Sequence, residues 1–292
     1  MIYDVIVIGK GPAGISTSLY ARRSNLNVLV IGLDNSALLK AKCIDNYYGN
    51  AHVDGKTLFE LGINQAIDLG VEVKTEEILT IALDIIDSET NFKVETSKDT
   101  YLAKSVIIAS GTKRSIPNIA NLKQFEDKNL SYCAVCDGFF YRGRKAFVLG
   151  DGTYALSEAE ELAKNASEVT IFTNGAHIVS NNAKLKIEER KIKTFEGNEK
   201  LTHVVLENDE KIEVPSLFIA WKTAGGYDFA RKLGAEVKNG QIVVNAKMET
   251  NIPGLYACGD VVGDPYQVAK AVYEGFVAGG CVSDFLKNKK NN

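Results

Sequence analysis

The chain has 292 residues, enough for about two ordinary domains that each bury a core. Hydrophobic residues make up 45% and charged residues 24%, and 34 basic against 37 acidic side chains give a net charge of −3. This balance excludes a basic nucleic-acid footprint, and no apolar run reaches the roughly 18 residues of a membrane helix. Five cysteines at low density argue against a secreted disulfide scaffold. With no export signal in view, we expect a cytoplasmic protein without nucleic-acid or membrane partners.

The N-terminal stretch predicts a dinucleotide-binding turn. A strand over residues 3–8 runs into Gly9-Lys10-Gly11-Pro12-Ala13-Gly14, followed by a helix over 15–23 and a strand over 28–31. This is the G-x-G-x-x-G fingerprint in its expected order of strand, turn and helix. Gly9 permits the turn, Gly11 lets the backbone approach a pyrophosphate, and Gly14 lets helix and strand pack closely. The diphosphate then lies on the helix N-terminus.

Two further features of this half point to a cofactor. Asp34 lies twenty positions after Gly14, where a carboxylate can bond an adenosine ribose, and a loop-capping role beside Asn35 and Ser36 is the alternative. Beyond a helix over 58–69, we predict strands over 71–73, 91–96 and 105–109. Ser110 and Gly111 then end an apolar strand with small residues, which indicates either a backbone lying against a cofactor or an ordinary turn.

Two cysteines three positions apart, Cys133 and Cys136, are the clearest sign of chemistry. If a helix began at Ser131, both thiols would face one side, with Cys133 in the first turn, where unpaired N–H groups lower a thiol pKa. Asp137, adjacent to the second sulfur, can give or take a proton in thiol-disulfide exchange. The alternatives are half of a zinc site or two buried structural thiols.

The remaining metal-ligating side chains favour the redox interpretation. Zinc normally takes four Cys or His ligands, and the chain has no second Cys-x-x-Cys. The other candidates are isolated: Cys43, Cys258, Cys281, His52, His177 and His203. We therefore expect no metal site, and we expect the three isolated cysteines to be small buried apolar residues.

A second fingerprint begins at residue 145 and is altered in an informative way. A strand over 145–149 leads to Gly150-Asp151-Gly152, a helical run to residue 164 and a strand over 168–173, which suggests a duplicated architecture. Asp151 puts a carboxylate where a negatively charged pyrophosphate would need to approach. The stretch from Thr173 to His177 offers neither an acidic residue for an NAD ribose nor an arginine for an NADP phosphate. We predict that the fold is kept and the ligand lost; weak nucleotide binding through other groups is the alternative.

The C-terminal third returns to cofactor chemistry. Residues 201–207 and 211–214 predict a hairpin, and a buried strand over 217–221 ends in Trp221, interpreted as a core residue. A strand ending in Gly259-Asp260 places one carboxylate where it can bond a ribityl hydroxyl, or a water on the diphosphate. The helix that starts near Gln267 can aim N–H groups at the edge of a flavin.

With these motifs, the chain resembles the low-molecular-weight thioredoxin reductases over nearly its full length. The stretch Tyr132-Cys133-Ala134-Val135-Cys136-Asp137-Gly138-Phe139-Phe140-Tyr141-Arg142 is similar to that family's active-site sequence. The resemblance implies an α/β fold of two Rossmann-like domains, the second inserted into the first. The FAD-binding domain would comprise residues 1–114 and 245–292, and the redox-disulfide domain residues 115–244. It also implies FAD and a homodimer.

The resemblance also assigns roles to residues. Cys136 becomes the thiol nearest the flavin, Cys133 the thiol that attacks a partner disulfide, and Asp137 the acid-base residue. The residues expected at FAD are Gly9, Gly11, Pro12, Ala13, Gly14, Asp34, Asn46, Val73, Ser110, Gly111, Gly259, Asp260, Gln267, Val268 and Ala269.

The chain departs from the usual pattern of this family at Asp151 in the second glycine turn, at Thr173 to His177, where the basic NADPH-phosphate motif is missing, and at Trp221, where the family has a glycine. These departures resemble those of the ferredoxin-dependent branch of the family, which does not use pyridine nucleotides. We therefore expect ferredoxin to deliver single electrons to FAD, and the Cys133-Cys136 pair to reduce thioredoxin or a thioredoxin-like protein. A basic docking face for ferredoxin has these candidates: Arg22, Arg23, Lys113, Arg114, Arg142, Arg144 and Lys145. An NAD(P)H-dependent thioredoxin reductase and a non-catalytic flavin redox sensor are the alternatives.

Overall fold

The computed structural model describes residues 1–86, 89–111, 117–126, 128–132 and 134–291. The chain divides into two compact units, one of Met1–Lys113 with Gly225–Asn292 and the other of Arg114–Ala224. The second unit thus interrupts the first in sequence. The first unit takes up the chain again at residue 225, whereas the sequence prediction placed this return at residue 245.

The N-terminal half of the first unit alternates strands and helices before an antiparallel extension. Its elements are β1 (Ile2–Ile8), α1 (Pro12–Arg23), β2 (Val28–Ile31), α2 (Gly55–Asp68), β3 (Glu72–Lys74), β4 (Ile78–Ile86), β5 (Glu89–Thr96) and β6 (Thr100–Ile108). Helix α2 begins three residues earlier than residue 58, where the apolar pattern predicted its start. The Asp54 carboxylate accepts the Thr57 N–H at 3.0 Å and so caps the extra turn. Strand β4 was not predicted.

The second unit has its own parallel sheet and an antiparallel one. Its elements are β7 (Leu130–Ser131), α3 (Ala134–Asp137), β8 (Lys145–Leu149), α4 (Thr153–Ala163), β9 (Glu168–Phe172), β10 (Leu185–Glu188), β11 (Ile192–Gly197), β12 (Leu201–Leu206), β13 (Lys211–Glu213) and β14 (Leu217–Ile219). Strand β8 is buried on both faces: Ala146 and Val148 pack into one core, Phe147 and Leu149 into another. Such burial explains its continuous apolar run.

The chain completes the first unit with α5 (Gly226–Lys232), β15 (Val237–Lys238), β16 (Gln241–Ile242), β17 (Leu255–Ala257) and α6 (Val268–Asn291). Helix α5 packs directly on this unit's main sheet. A Cβ at Gly226 would lie 2.6 Å from Ile108 Cγ2 and 3.0 Å from Val261 Cγ2. The early return at residue 225 follows from this close packing, which no periodic pattern in the sequence reveals.

In the described part of the chain, the first unit holds a seven-stranded sheet in the order β3-β2-β1-β6-β5-β4, with β17 also paired to β6. Strands β3, β2, β1, β6 and β17 run parallel, while β5 and β4 are added antiparallel. The strand order reverses between β1 and β6, and ligands of open α/β sheets bind beyond the carboxyl ends of strands at such a point. The second unit has the parallel order β10-β9-β8-β14-β7. The α/β class and two Rossmann-like folds are confirmed. None of the helices among these residues is long and apolar enough to cross a membrane.

Helices α1 and α6 approach each other closely through glycine. A Cβ at Gly275 would come within 2.3 Å of Ala13 O and 2.8 Å of Ser16 Cβ. Gly280, five residues further along α6, has open space where its Cβ would stand. The Ser16 hydroxyl donates to Val272 O at 2.7 Å, which ties the two helices together.

We predict opposite effects for two alanine substitutions in α6. Gly275→Ala forces a Cβ against backbone atoms and should lower the free energy of unfolding by about 1–3 kcal/mol. Gly280→Ala improves helix propensity without a clash and should raise it by up to about 1 kcal/mol. Urea unfolding followed by circular dichroism measures both changes. Equal shifts in the two variants would show that the α1–α6 contact does not limit stability.

Candidate functional site

The first glycine turn has the geometry of a diphosphate cradle. Gly9 has φ +116°, and a Cβ there would lie 2.4 Å from Ala109 O. A Cβ at Gly14 would lie 2.0 Å from Gly9 O. The predicted roles of these two glycines therefore follow from close contacts with backbone. Gly11 precedes α1 without a side-chain cap, and the first turn carries no acidic residue, so its N–H groups suit an anion.

The C-terminal turn lies directly against this cradle. Gly259 has φ +80°, and a Cβ there would be 2.7 Å from Ala13 Cβ. The Gly259 N–H donates to Glu274 Oε2 at 2.8 Å, and Lys270 Nζ donates to Gly259 O at 2.9 Å. Lys270 and Glu274 form an ion pair at 3.0 Å that is largely shielded from solvent. The tertiary structure thus unites two motifs that are 245 positions apart in sequence (259 minus 14).

Lys270 and Glu274 were missed by sequence reasoning. They are four residues apart on α6. The buried Ala271 directly follows Lys270, and the buried Ala278 lies four residues after Glu274. An oppositely charged pair so close to an apolar stripe is the signal that identifies them.

Two polar groups beside the cradle accept or donate no side-chain hydrogen bond within the part of the chain that the structure describes. Asp260 is half-buried, burial raises the pKa of its carboxyl, and none of the described hydrogen bonds involves its side chain. Ser110 Oγ is buried and, among the described residues, has no hydrogen-bond partner. The Ser110 Cα also lies 3.1 Å from the position of a Cβ on Gly9. Buried polar atoms such as Ser110 Oγ are normally hydrogen-bonded, so this hydroxyl suits a polar group of a bound ligand, and the half-buried Asp260 carboxylate is available to the same ligand.

Asp34 is held by a lysine inside the glycine turn. Lys10 is only 4% exposed, and its Nζ donates to Asp34 Oδ1 at 2.5 Å and to Thr75 Oγ1 at 2.7 Å. The loop-capping alternative is wrong, because the carboxylate turns toward Lys10. Asp34 remains more than half exposed, so its second oxygen is available to a ribose hydroxyl. Lys10 orients this acceptor, a role that the fingerprint does not predict.

The remaining expected cofactor residues fall into two groups. Asn46 Nδ2 donates to Gln267 Oε1 at 2.9 Å, which joins two residues from opposite ends of the chain. Gly111 has φ +74° and open space around it. Val73 and Val268 pack on hydrophobic cores through their partly buried side chains, and Ala269 is exposed. Contacts of Val73, Val268 and Ala269 with a cofactor stay predictions.

These observations fit FAD. The glycine cradle and free helix N-terminus suit the diphosphate, Asp34 suits the ribose, and Asp260 and Ser110 supply unsatisfied polar atoms. The residues meet beyond the carboxyl ends of β1 and β6, where the strand order reverses.

The second glycine turn contains a carboxylate, that of Asp151, which bonds the backbone of a neighbouring loop. Asp151 Oδ1 accepts the N–H of Lys222 at 2.8 Å, and Lys222 has φ +62°. A Cβ at Gly150 would lie 2.2 Å from Ala220 O, so this turn also packs tightly on the end of β14. The hydrogen bond ties the backbone at Lys222 to the turn and fixes a negative charge within the turn. A pyrophosphate approaching here would meet that charge.

The polar side chains that follow β9 are hydrogen-bonded within the protein. Asn174 Oδ1 accepts the Ile192 N–H at 2.8 Å, and Thr173 Oγ1 donates to Ala176 O at 2.5 Å. Arg190, which follows the neighbouring strand β10, is paired with Glu188 at 2.6 Å and Glu210 at 2.5 Å. This guanidinium is therefore already neutralised and is a poor partner for a nucleotide phosphate.

The cysteine motif is only partly described. Cys133 and the side chain of Cys136 lie outside the described residues. A helix beginning at Ser131 is wrong: Ser131 belongs to β7, and α3 begins at Ala134. Asp137 Oδ2 accepts a hydrogen bond from Ser131 Oγ at 2.6 Å. This bond joins the predicted acid-base carboxyl, at the end of α3, to the strand that precedes the motif.

Glu158 is a second carboxylate at this motif. Its Oε2 accepts the Ala134 N–H at 3.0 Å, and the residue is buried. It belongs to the inward face of α4 together with Tyr154, Ala155 and Leu162. Sequence reasoning missed Glu158, and a glutamate within an apolar helical stripe is the signal that identifies it. Glu158 thus accepts the N–H at the start of the helix that carries Cys136.

The three other cysteines differ in exposure. Cys258 is buried as predicted, and burial raises the pKa of its thiol to about 12. Cys281 is half-buried. For Cys43 the prediction is wrong: it is exposed, in the loop before α2, and its thiol donates to Asp45.

We predict that Asp260→Asn separates cofactor binding from folding. Loss of a charged acceptor should weaken FAD binding by at least about tenfold, since such hydrogen bonds contribute roughly 1.5–3 kcal/mol. The FAD-free variant should be more stable at neutral pH, because a carboxyl with a raised folded pKa loses stability as pH rises above its ordinary value. FAD titration and pH-dependent unfolding measure the two effects. The exposed Asp68→Asn is the control, and unchanged FAD affinity in Asp260→Asn would contradict the assignment.

Comparison with known proteins agrees with this site. A family profile described as pyridine nucleotide-disulphide oxidoreductase matches residues 3–275. A thioredoxin reductase from Mycoplasmopsis pulmonis is 30% identical, covering 98% of each chain. The crystal structure of the atypical thioredoxin reductase TRi from Desulfovibrio vulgaris Hildenborough is 34% identical, with a TM-score of 0.88 over 98% of this chain and 99% of that one. A ferredoxin-flavin thioredoxin reductase from Clostridium acetobutylicum is 32% identical, with a TM-score of 0.68 over 98% of both chains.

Thioredoxin reductases of this family are FAD-binding flavoproteins, which confirms the cofactor predicted from the glycine turn and the Gly259-Asp260 strand end. The match extends across both units, including the altered second turn and the cysteine motif. The chain therefore belongs to the pyridine nucleotide-disulphide oxidoreductase family and is a thioredoxin reductase-like flavoprotein.

Proposed function

We propose that this protein is an FAD-dependent disulfide oxidoreductase that takes electrons from ferredoxin and reduces thioredoxin or a thioredoxin-like protein through Cys133 and Cys136. The hydrogen bond from the Lys222 N–H to Asp151 is the observation that supports ferredoxin over a pyridine nucleotide as the electron donor. It fixes the Asp151 carboxylate within the second glycine turn, where a pyridine nucleotide would place its pyrophosphate. The thioredoxin reductases of Mycoplasmopsis pulmonis and other bacteria support the reaction type.

FAD, when bound, supplies the chemistry that takes up single electrons and releases pairs of electrons to a disulfide. The first unit would hold it with the N–H groups of α1, with Asp34 and with Asp260. Lys10 keeps Asp34 in place, and the Lys270–Glu274 pair keeps the Gly259 turn against α1.

The cysteines transfer the electron pair to the protein substrate. The Cys133 thiolate attacks one sulfur of the partner disulfide and forms a mixed disulfide, and the other partner sulfur leaves. The Cys136 thiolate then attacks Cys133, which forms the Cys133–Cys136 disulfide and releases the partner dithiol. Two electrons and two protons pass to the partner. Asp137, held by the Ser131 hydroxyl, is adjacent to Cys136 and exchanges the proton.

The surface beside the motif suits a protein substrate. Phe139 and Phe140 are 65% and 70% exposed, and Arg142 lies 5.9 Å from the Phe139 ring. Exposed aromatic side chains beside an arginine are typical of the energetic centre of protein interfaces. Their position, directly after α3, puts this surface next to the reactive cysteine pair, so we assign it to thioredoxin docking.

The candidate basic residues for ferredoxin are not equivalent. Arg142 and Arg144 are exposed and follow the aromatic pair. Lys145 lies 3.4 Å from Glu168. Arg22 donates to Leu69 O and Leu26 O, so it has a structural role between α1 and α2. Lys113 and Arg114 lie outside the described residues, and Arg23 is exposed.

We also propose a homodimer in the cytoplasm. Tyr20 on α1 and Tyr273 and Phe276 on α6 are exposed, and the Tyr20 and Phe276 rings meet at 4.7 Å. These exposed aromatic side chains support a dimer interface at which a second copy of the chain packs on them, because the interfaces of homodimers are more apolar than ordinary surface. Light scattering of the purified protein distinguishes the dimer from the monomer.

We predict that reduced ferredoxin bleaches the flavin and supports repeated turnover of a thioredoxin disulfide. NADPH and NADH at micromolar concentrations should leave the flavin oxidised, because Asp151 and the neutralised Arg190 oppose the nucleotide. Anaerobic stopped-flow absorbance with each donor measures the difference. Fast bleaching by NADPH or NADH would assign the donor to a pyridine nucleotide.

Two cysteine variants control this experiment. Cys136→Ser should abolish thioredoxin turnover while leaving flavin reduction by ferredoxin intact, whereas Cys281→Ala should leave both unchanged. A wild-type protein that stalls after one equivalent of thioredoxin would instead be a redox sensor.

We predict that Phe139→Ala and Phe140→Ala each raise the KM for thioredoxin by about tenfold, since a truncated aromatic anchor often costs more than 1 kcal/mol. The rate of flavin reduction should not change. Phe147→Leu, a buried substitution in β8, tests for a general loss of stability. An unchanged KM in both surface variants would place the docking surface elsewhere.

A further inference from the structure

The loop between β2 and α2 folds into a small hairpin. The Ile44 N–H donates to Val53 O at 2.8 Å, and the Asn50 N–H donates to Tyr47 O at 3.1 Å. Ile44 pairs antiparallel with Val53, and Tyr47 with Asn50. Asp45 therefore lies opposite His52 at the Ile44–Val53 end of the hairpin. Cys43 lies two residues before Asp45, and residues two apart in an extended segment share a face.

Three metal-ligating side chains converge at that end. Asp45 Oδ1 lies 3.4 Å from Cys43 Sγ and 2.7 Å from His52 Nδ1, and the ligand atoms of all three lie within 4.8 Å of one another. Zinc bonds of about 2.0–2.3 Å at tetrahedral angles put ligand atoms roughly 3.3–3.6 Å apart. The observed separations bracket this spacing, so small side-chain rotations suffice for a common ion.

The chemistry of the three atoms selects zinc among the common divalent ions. A thiolate sulfur, an imidazole nitrogen and a carboxylate oxygen are its three usual protein ligands, while calcium and magnesium prefer oxygen alone. All three residues are exposed, which leaves a fourth position for water. The backbone N–H of His52 also donates to Asp45 Oδ1 at 3.0 Å, which helps to hold the carboxylate in place.

A reactive thiol is the competing interpretation of Cys43. The described hydrogen bonds of the Cys43 thiol are to the carboxylate oxygens of Asp45, and an anionic neighbour does not activate a thiol as a nucleophile.

We propose that Cys43, Asp45 and His52 form a zinc-binding site that fastens the hairpin. Binding replaces the thiol proton with the metal and releases that proton to solvent. Asn46, next to Asp45, bonds Gln267 just before α6. Zinc therefore stabilises the hairpin that positions this expected cofactor contact. The proposal does not depend on the identity of the electron donor.

The test uses FAD-loaded protein in which Cys133 and Cys136 are both replaced by serine, so that the redox pair cannot bind the metal. After treatment with a chelator, the protein is titrated with Zn²⁺ against a chromophoric chelator. We expect one zinc per chain. Cys43→Ala, Asp45→Asn and His52→Asn should each weaken binding by at least tenfold. Asparagine suits position 52, where φ is +56°, because it tolerates the left-handed conformation.

Matched controls come from the same chain. His177 pairs with Glu189 at 2.7 Å but belongs to no three-residue cluster among the described residues, so His177→Asn should leave zinc binding unchanged. Cys281→Ala should also leave it unchanged. Absence of stoichiometric binding, or an equal loss in His52→Asn and His177→Asn, would overturn the site.

A second measurement covers the case in which the double-serine protein does not fold. In wild-type protein with the redox pair oxidised, Zn²⁺ should slow alkylation of Cys43 at least tenfold, as measured by peptide mass spectrometry. Alkylation of Cys281 should not change. An unchanged rate at Cys43, or protection that persists in His52→Asn, contradicts the three-ligand site.

Discussion

The contact between the first turn of α1 and the Gly259 turn is the constraint on which the cofactor site depends. It brings the N-terminal fingerprint against the last functional motif of the chain, and only glycine fits, because a Cβ at 259 would lie 2.7 Å from that of Ala13. The turn is held by the Lys270–Glu274 pair, which bonds both the N–H and the carbonyl of Gly259. Asp260 is thereby carried to the cradle with an unsatisfied carboxylate. Its desolvation is a cost to folding that a ligand offsets, a pattern common at functional sites.

The second unit repeats the fold of the first with a different side chain in its glycine turn. Its strands, glycine turn and helix repeat the order of the first unit, and its five-stranded sheet is parallel throughout. The side chain at position 151 nevertheless bonds the Lys222 N–H, which is the kind of donor a phosphate oxygen would use. Arg190 is neutralised by two glutamates, and Asn174 ties the following loop to β11. Each contact is ordinary by itself, and together they support the loss of a nucleotide from a retained scaffold.

The hairpin before α2 couples the surface to the cofactor region. Asn46 bonds Gln267, while the preceding residue, Asp45, bonds both Cys43 and His52. Adjacent residues in a hairpin point to opposite sides, so one short segment can serve both a cofactor and an exposed ligand set. The exposure of Cys43 follows from this alternation rather than from its apolar character.

Sequence by itself determined the fold class, the two fingerprints, the order of most elements and the cysteine motif. These features are local: glycine spacing, apolar runs and vicinal thiols express themselves within a few residues. Only the tertiary structure decided what depends on distant partners. Contacts between separated segments decide three hydrogen bonds: Lys10 to Asp34, the Lys222 N–H to Asp151, and the Ala134 N–H to Glu158. Such contacts also decide the return of the chain to the first unit at residue 225 and the exposure of Cys43. Burial and hydrogen bonding are properties of the folded surroundings, and no local pattern contains them.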